Sequence, residues 1–485
     1  MLVQFVNRIT AIPPIPRQSL IQLCVTLAVT IFGFISTMLF SHLLGKHLMG
    51  VYYVFLSYYG VFNIIGDSGF GSAAVKRISE GKDQNAYITA YATLRFLLVI
   101  LSSLLLFVIS PYLIDLKEYD LVPWIIIALT AAFFGGTISM SIYGLGHVGI
   151  RTLAIGVSEF VRIFIQIVFV FLGYSVFGLF GGFIIALILS GLFCLKYFTF
   201  HPTWFTIYHL KRILSYSLWN FFIGSGSLIF SYIDVIFLDF FMENGDVGVF
   251  CVAMQLTSVG TFTTVALAGT LTPKFSNWSF KGDLSLIPSI LARSITYGLL
   301  LAVPVAVGGI LLSERLLYFF YGEDLVVGGS VCVILLLLPI VNVFMMLFGI
   351  TLSAIDHARQ SFYASCSSAI LNIVLNIFLI PTIGLEGAAL ASLASLTLNV
   401  VLLHYYLKSY LDIRCDLRAV FHIVFSSLFM AVFICVYRNY IPLTNIFQVL
   451  VAVLMGAILY FIALFRLDRG IHDEIVHFVK QLLYL

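Results

Sequence analysis

Hydrophobic runs long enough to cross a bilayer follow one another along almost the whole chain, and no other feature restricts its fold so severely. About 17 to 25 apolar residues span the hydrocarbon core as a helix. We read fourteen such runs, near residues 19–43, 50–73, 88–110, 121–143, 152–173, 176–196, 215–240, 247–272, 287–313, 327–354, 360–381, 385–408, 418–437 and 444–466. In lipid the backbone must satisfy its own hydrogen bonds, so runs of this kind fold as helices. The expectation is an all-α integral membrane protein with about 14 transmembrane helices. Only 10% of the 485 residues are charged, against about 25% in soluble domains.

Lys and Arg concentrate in cytoplasmic loops, and their placement orients the chain. With the N-terminus inside, the cytoplasmic side collects 18 of them, among them Arg17, Lys76, Arg77, Arg151, Lys211, Arg212, Lys274, Arg359 and Arg466. The outside collects 4, namely Lys46, Lys117, Arg315 and Arg438. Both termini are therefore expected in the cytoplasm, with the protein in the cell (cytoplasmic) membrane. The net charge of +3 sits in membrane-flanking loops and forms no nucleic-acid-binding stripe. The first eighteen residues, with Pro13, Pro14 and Pro16, do not read as a removable signal peptide. Of seven cysteines, six fall in spans and Cys415 in a loop, with no C-x-x-C pair. Packing is the role expected for them.

A repeat runs through the chain at an offset of 198 residues. Ser19 and Leu20 recur as Ser217 and Leu218, Ile31, Phe32 and Ile35 as Ile229, Phe230 and Ile233, Gly50 and Val51 as Gly248 and Val249, Lys76 as Lys274, and Arg95 as Arg293. Late in each half the offset grows to 206, where Gly178, Leu179 and Gly181 match Gly384, Leu385 and Gly387. Each half holds an even number of spans, so the halves are parallel repeats related by an axis along the membrane normal, an arrangement typical of transporters. This gives an N-lobe at residues 1–205, a C-lobe at 206–410 and a C-terminal section at 411–485. Each lobe holds six helices. The last section holds two more helices and a surface amphipathic tail around Ile471, Val476 and Phe478.

Charged residues inside spans cost roughly 2.5 to 3.5 kcal/mol each on insertion scales and usually face a cavity or a partner. Glu159 and Arg162 are three apart on one helix face, placed either to fasten two helices or to line a cavity as a pair. Arg95 and Arg293 occupy matching places, either snorkelling to headgroups or aiming two guanidinium forks at a phosphate. Asp67 has no counterpart in the second half, where Val265 stands. It is a candidate ion-coupling site, with capping or a salt bridge to Lys76 or Arg77 as the other reading. Asp234 replaces Ser36 of the first half and is expected to face a cavity. The amides Gln22 and Asn220, Gln166 and Asn372, and Asn376 fit interhelical hydrogen bonds or contacts to sugar hydroxyls. No nucleotide-binding loop or metal-ligand run is present. The expectation is a protein that is not an enzyme and needs no cofactor or metal.

Gly50, Val51 and Tyr52, leading to Asp67, Gly69, Phe70, Ala74, Ile78 and Gly81, resemble the span 2 signature of the multidrug/oligosaccharidyl-lipid/polysaccharide exporter superfamily in its oligosaccharide flippase (Wzx-type) branch. Similar agreement runs through Asp234 to Gly248 with Ala253 and Gln255, through Leu317 to Gly328, and through Leu371, Asn372, Leu375, Asn376, Pro381, Gly384 and Gly387. The resemblance covers roughly residues 17–410. It implies a twelve-helix core of two lobes, with extra C-terminal helices in some members, that flips a polyprenyl- or dolichyl-(pyro)phosphate-linked oligosaccharide for polysaccharide or glycan biosynthesis. The implied partners are that lipid-linked sugar, membrane lipids, an H+ or Na+ counter-ion, and glycosyltransferases or a polymerase, with the chain itself a monomer. Family members that flip the peptidoglycan precursor place arginines in spans 1, 2 and 8, where this chain has none apart from the end of span 2. That leaves Arg95, Arg162 and Arg293 as anion handlers. The run from Asp67 to Gly81 also resembles archaeal members. A cation-coupled multidrug exporter of the same superfamily is the alternative function.

Overall fold

The computed structural model describes residues 14–198, 200–413, 416–470 and 472–473. It is helical, with no strand among these residues. Its long helices are α1 (Pro14–Asp67), α2 (Phe70–Ser79), α3 (Gln84–Ile109), α4 (Leu121–Gly144), α5 (Val148–Phe169), α6 (Ser175–Leu195), α7 (Ile207–Phe241) and α8 (Asn244–Thr257). They continue as α9 (Phe262–Phe280), α10 (Ile287–Tyr321), α11 (Gly329–Leu335), α12 (Leu338–Ala354), α13 (Ala358–Ile383), α14 (Leu385–Lys408), α15 (Leu417–Tyr440) and α16 (Ile446–Leu467). The chain is a multi-pass membrane protein. Among the described residues ten helices are long and apolar enough to cross a bilayer, or up to eleven if the bent α11–α12 stretch is one span. The fourteen of the sequence is therefore a count of apolar runs, not of established crossings. One of the ten stretches, Asn244–Phe280, joins α8 to α9 through a 3-10 turn at Ser258–Thr261, and two others enclose a break in helical backbone angles. In α1 the break is at Gly45, whose φ of 73° only glycine adopts at little strain, and between α5 and α6 it is at Gly173. The amphipathic tail expected beyond Asp473 lies outside the described residues.

Packing divides the chain into two compact units, one ending at Gly248 and one beginning at Val249. That boundary lies one helix beyond the repeat boundary, because α7 packs on α1 and α2. Within the first unit, α4 and α6 cross so closely that a Cβ on Gly191 would stand 2.7 Å from the Gly135 Cα. Small residues permit such approaches in membranes, where packing replaces the hydrophobic drive. A second close crossing joins α1 to the first turn of α8. A Cβ on Gly50 would meet the carbonyl of Asn244, and a Cβ on Gly248 would meet the carbonyl of Lys46. Gly50 and Gly248 are repeat partners at offset 198, as are Lys46 and Asn244, so the contact is reciprocal in the manner of a twofold interface.

The turn between α2 and α3 is tied to the start of α7. Arg77 Nη1 donates to Glu80 Oε1 at 2.6 Å, Arg212 Nη2 donates to Glu80 Oε2 at 2.9 Å, and Arg212 Nη1 donates to the Tyr87 hydroxyl at 3.1 Å. Thr206 and His209 form a capping box that starts α7 in this place. Burial pushes the Glu80 carboxyl up, but the hydrogen bonds and charges of Arg77 and Arg212 outweigh it and hold the pKa below 4.5. A lowered carboxyl pKa means that the tie is intact above the ordinary carboxylate range and is lost as pH falls through the lowered value. We expect the purified protein to lose thermal stability below about pH 4.5, with part of that loss absent in Glu80→Gln. An identical acid limb in both proteins, followed by heating and size-exclusion chromatography, removes Glu80 from the account.

In the second unit α13 and α14 share a polar seam. Asn376 Nδ2 donates to Asn372 Oδ1 at 3.1 Å, Asn372 Nδ2 donates to Ser395 Oγ at 3.4 Å, and both asparagines are fully buried. The two C-terminal helices pack against α10, where the Tyr460 hydroxyl donates to the Leu300 carbonyl at 2.9 Å.

Candidate functional site

The first unit contains a cleft of about 450 Å³ whose wall includes Asn63 and Asp67 of α1, Arg95 of α3, Ser139 of α4, Arg151 of α5 and Ser190 of α6. Its organising element is a charge pair set by three helices. Asp67 ends α1, where its Oδ2 accepts from the Gly71 N–H at 3.2 Å. Arg95 sits one turn beyond Tyr91 on α3, and the tyrosine links the two charges. Arg95 Nη1 donates to the Tyr91 hydroxyl at 2.9 Å, and that hydroxyl donates to Asp67 Oδ1 at 3.1 Å. Arg95 Nη2 donates to the Ala132 carbonyl at 3.0 Å, and Nε lies 3.8 Å from Asp67 Oδ1.

Arg95 is only 5% exposed, so it does not reach out to headgroups. A cation buried in helices that span a bilayer is tolerable only when its charge and most of its donors are met, and Arg95 spends both η nitrogens on the protein while its Nε, without a hydrogen-bond partner, faces Asp67. The fit depends on a residue without a side chain. A Cβ on Gly136 would stand 2.5 Å from Arg95 Nη1 and 2.6 Å from Nη2.

Arg151 differs. It lies in the first turn of α5 with its guanidinium carbon 4.7 Å from the centroid of the Tyr143 ring, a cation–π distance. Its η nitrogens donate to no acceptor among the described residues, and its Nε, like that of Arg95, is buried without a hydrogen-bond partner. Among the described residues Arg151 makes no ion pair, and the side chains of Asn63, Ser139 and Ser190 across the cleft make no hydrogen bond.

The remaining residues singled out in the sequence are spread over both units. Glu159 and Arg162 pair at 2.7 Å. Glu159 borders a separate apolar hollow of about 290 Å³ beside Phe32 and Phe160, so the pair is not part of the cleft. Gln166 donates to the Tyr52 hydroxyl at 3.0 Å and to the Leu179 carbonyl at 2.9 Å. Asp234 is buried in α7, whereas Arg293 is exposed on α10 despite matching Arg95 in the repeat. Asn376 belongs to the α13–α14 seam. The side chains of Gln22 and Asn220 lie outside the described residues. Asp239, absent from the sequence reading, is buried and accepts from the Tyr58 hydroxyl at 2.9 Å. A charge near the end of a span was its signal. In the sequence Arg151 carries no site signal, because an arginine at the start of a span reads as a topology signal.

The polysaccharide biosynthesis protein family model matches residues 16–279, more than half of the chain. Among curated proteins the chain is 24% identical over 445 residues to a probable low-salt glycan biosynthesis flippase, Agl15, of Haloferax volcanii, covering 89% of this chain and 92% of that protein. It is 23% identical over 422 residues to the probable flippase AglR of the same organism, covering 85% and 88%. Among solved structures it superposes on the lipid II flippase MurJ in an inward closed conformation with a TM-score of 0.79 at 20% identity, covering 93% of this chain and 99% of that one. An inward-facing multidrug resistance transporter of the MATE family matches with a TM-score of 0.61 at 17% identity over 81% of this chain and 97% of that one. These two structures share its fold.

Proposed function

Since the chain belongs to the polysaccharide biosynthesis protein family, we propose that it moves a polyprenyl- or dolichyl-(pyro)phosphate-linked oligosaccharide across the cytoplasmic membrane by alternating access, to serve glycan assembly. It is a transporter of the multidrug/oligosaccharidyl-lipid/polysaccharide superfamily and not an enzyme. The observation that carries the reading is the cleft itself, in which arginines, a carboxylate, an amide and hydroxyls stand among bilayer-spanning helices. A sugar phosphate cannot cross about 30 Å of hydrocarbon unaided, because its charge and hydroxyls would lose their partners. A polar cleft within helices replaces those partners while the isoprenoid tail stays in lipid.

Several finer readings follow from the same proposal. Both termini face the cytoplasm, supported by the 18 to 4 bias of Lys and Arg. The repeat divides the transporting core into lobes at residues 1–205 and 206–410, with the final helices appended. Arg95 serves the substrate path within the cleft, Arg162, Glu159, Arg293, Asp234, Gln22, Asn220 and Asn376 serve parts of the path other than this cleft, and Asp67 is the residue through which an H+ or Na+ gradient couples. The protein acts as a monomer alongside the glycosyltransferases or polymerase that make and use the glycan.

Reconstitution in liposomes with a fluorescent lipid-linked oligosaccharide tests the function. Protein-dependent loss of the label from one leaflet, seen by quenching from outside, is expected. Liposomes that leave the label in place but expel a hydrophobic cation when a proton or sodium gradient is imposed would turn the assignment to drug export.

A further inference from the structure

Arg95 and Arg151 both line the cleft, but their bonding separates them. Arg95 is occupied by Tyr91, Ala132 and Asp67. Arg151 keeps its guanidinium over Tyr143 and gives neither η nitrogen to a protein acceptor, while its Nε, like that of Arg95, is buried without a hydrogen-bond partner. A guanidinium whose η donors meet no protein acceptor is costly among bilayer-spanning helices, and the most economical account is an acceptor that arrives from outside the chain. The arrangement suits an anion of tetrahedral oxygens, because a guanidinium fork meets two of them at once and the ring beneath it fixes the plane of the fork. The N-terminal turn of α5 adds its positive end to the same place. Asn63, Ser139 and Ser190 then offer unbonded amide and hydroxyl groups to whatever adjoins the anion.

We propose that Arg151 is the phosphate contact of the cleft, that Asn63, Ser139 and Ser190 take the hydroxyls of the adjoining sugar, and that Arg95 is a positioning residue. The assignment rests on the flippase reading and adds to it the residue that grips the carrier. Its ligand chemistry is a phosphate ester at the head of an isoprenoid chain. Inorganic phosphate and the phosphodiester of a bulk phospholipid present related oxygens and must be told apart from it.

The test uses the full chain in nanodiscs of phosphatidylcholine, with fluorescent dolichyl phosphate as the probe. Wild type, Arg151→Ala, Arg151→Lys and Ser139→Ala are compared, with size-exclusion profiles to establish folding. Arg151→Ala is expected to weaken binding about tenfold or more, as loss of a charge-assisted contact does. Arg151→Lys, which keeps the charge without the fork, is expected to fall between, and it carries the test if Arg151→Ala does not fold. Ser139→Ala is expected to leave dolichyl phosphate binding unchanged but to weaken binding of the glycan-bearing carrier. Unchanged dolichyl phosphate affinity in both Arg151 variants overturns the assignment. So does displacement of the probe by equal concentrations of inorganic phosphate or phosphatidylglycerol, which makes the site a general anion contact. In the liposome assay, wild-type flipping with full flipping by Arg151→Ala removes the grip and leaves the flippase reading standing. Absence of flipping by wild type removes the flippase reading itself.

Discussion

Arg95→Ala is expected to abolish glycan export and to lower the stability of the purified protein by about 3 kcal/mol, the scale on which an ionic pair deprived of one partner loses stability. The substitution removes the cation that Asp67 faces and the donor that holds the Tyr91 hydroxyl in place. The carboxylate then stands at the end of α1 with only Tyr91 and the Gly71 N–H. Asp67 retains 27% exposure of its side chain, so water softens its loss of a partner, whereas Asp67→Ala strands the buried Arg95 cation without a counter-charge and should cost at least as much. The double variant decides what the pair is for. Removing both charges takes away the uncompensated one, so its stability should recover by about 1 to 2 kcal/mol relative to the sum of the single losses. Export should not recover with it, because the cleft would lack two of the polar groups that line it. If the double variant exports normally, Asp67 and Arg95 are a fastener and nothing more. Gly136→Ala offers a second approach to the same residue. The added methyl occupies the place of the Arg95 guanidinium, and it should reproduce the export defect with all charges retained.

What the sequence made legible divides along a physical line. Interactions within one helix could be read directly. Glu159 and Arg162 at spacing three, and Asn372 and Asn376 at spacing four, bond in the structure as that spacing implies. Apolar runs could be read as helices because lipid leaves the backbone no alternative. Partners on different helices could not. Asp67 lies near Lys76 and Arg77 in the chain, yet its cationic neighbour is Arg95, brought beside it by the packing of α3 on α1. The repeat matched Arg95 to Arg293, and one is buried while the other is exposed. An approximate repeat conserves where a residue falls along a helix more faithfully than what surrounds it. Arg151 reads as a topology signal in the sequence for a similar reason. Its position at the start of a span gives the sidedness of the helix, and only the packed structure shows that the guanidinium turns into a cleft. Gly136 carried no sequence signal at all, since its role is to be empty where another helix places an arginine.

Gly50→Ala and Gly248→Ala are expected to be the most damaging small substitutions in the chain. At each position the new methyl meets a main-chain carbonyl, that of Asn244 for Gly50 and that of Lys46 for Gly248. A side chain can rotate away from a clash, but a carbonyl within a helix can retreat only if the helix moves. Overpacking of this kind costs typically 1 to 3 kcal/mol and occasionally more, and the two glycines belong at or above the top of that range, about 3 kcal/mol each. Gly149→Ala is the matched control, since nothing lies within 4 Å of its added methyl, and it should leave stability and export unchanged. The reciprocity of the crossing makes the sharper prediction. Both methyls force apart the same two segments, so once Gly50→Ala has separated α1 from the first turn of α8, Gly248→Ala has little left to displace. The double variant should therefore lose clearly less than the sum of the two single losses, by 1 kcal/mol or more in the manner of coupled neighbours, where distant sites add within about 0.5 kcal/mol. Thermal unfolding of the four proteins, with flipping measured alongside, gives the coupling directly. Strict additivity would mean that the two glycines relieve separate contacts, and that the repeat match between Gly50 and Gly248 has no common steric cause.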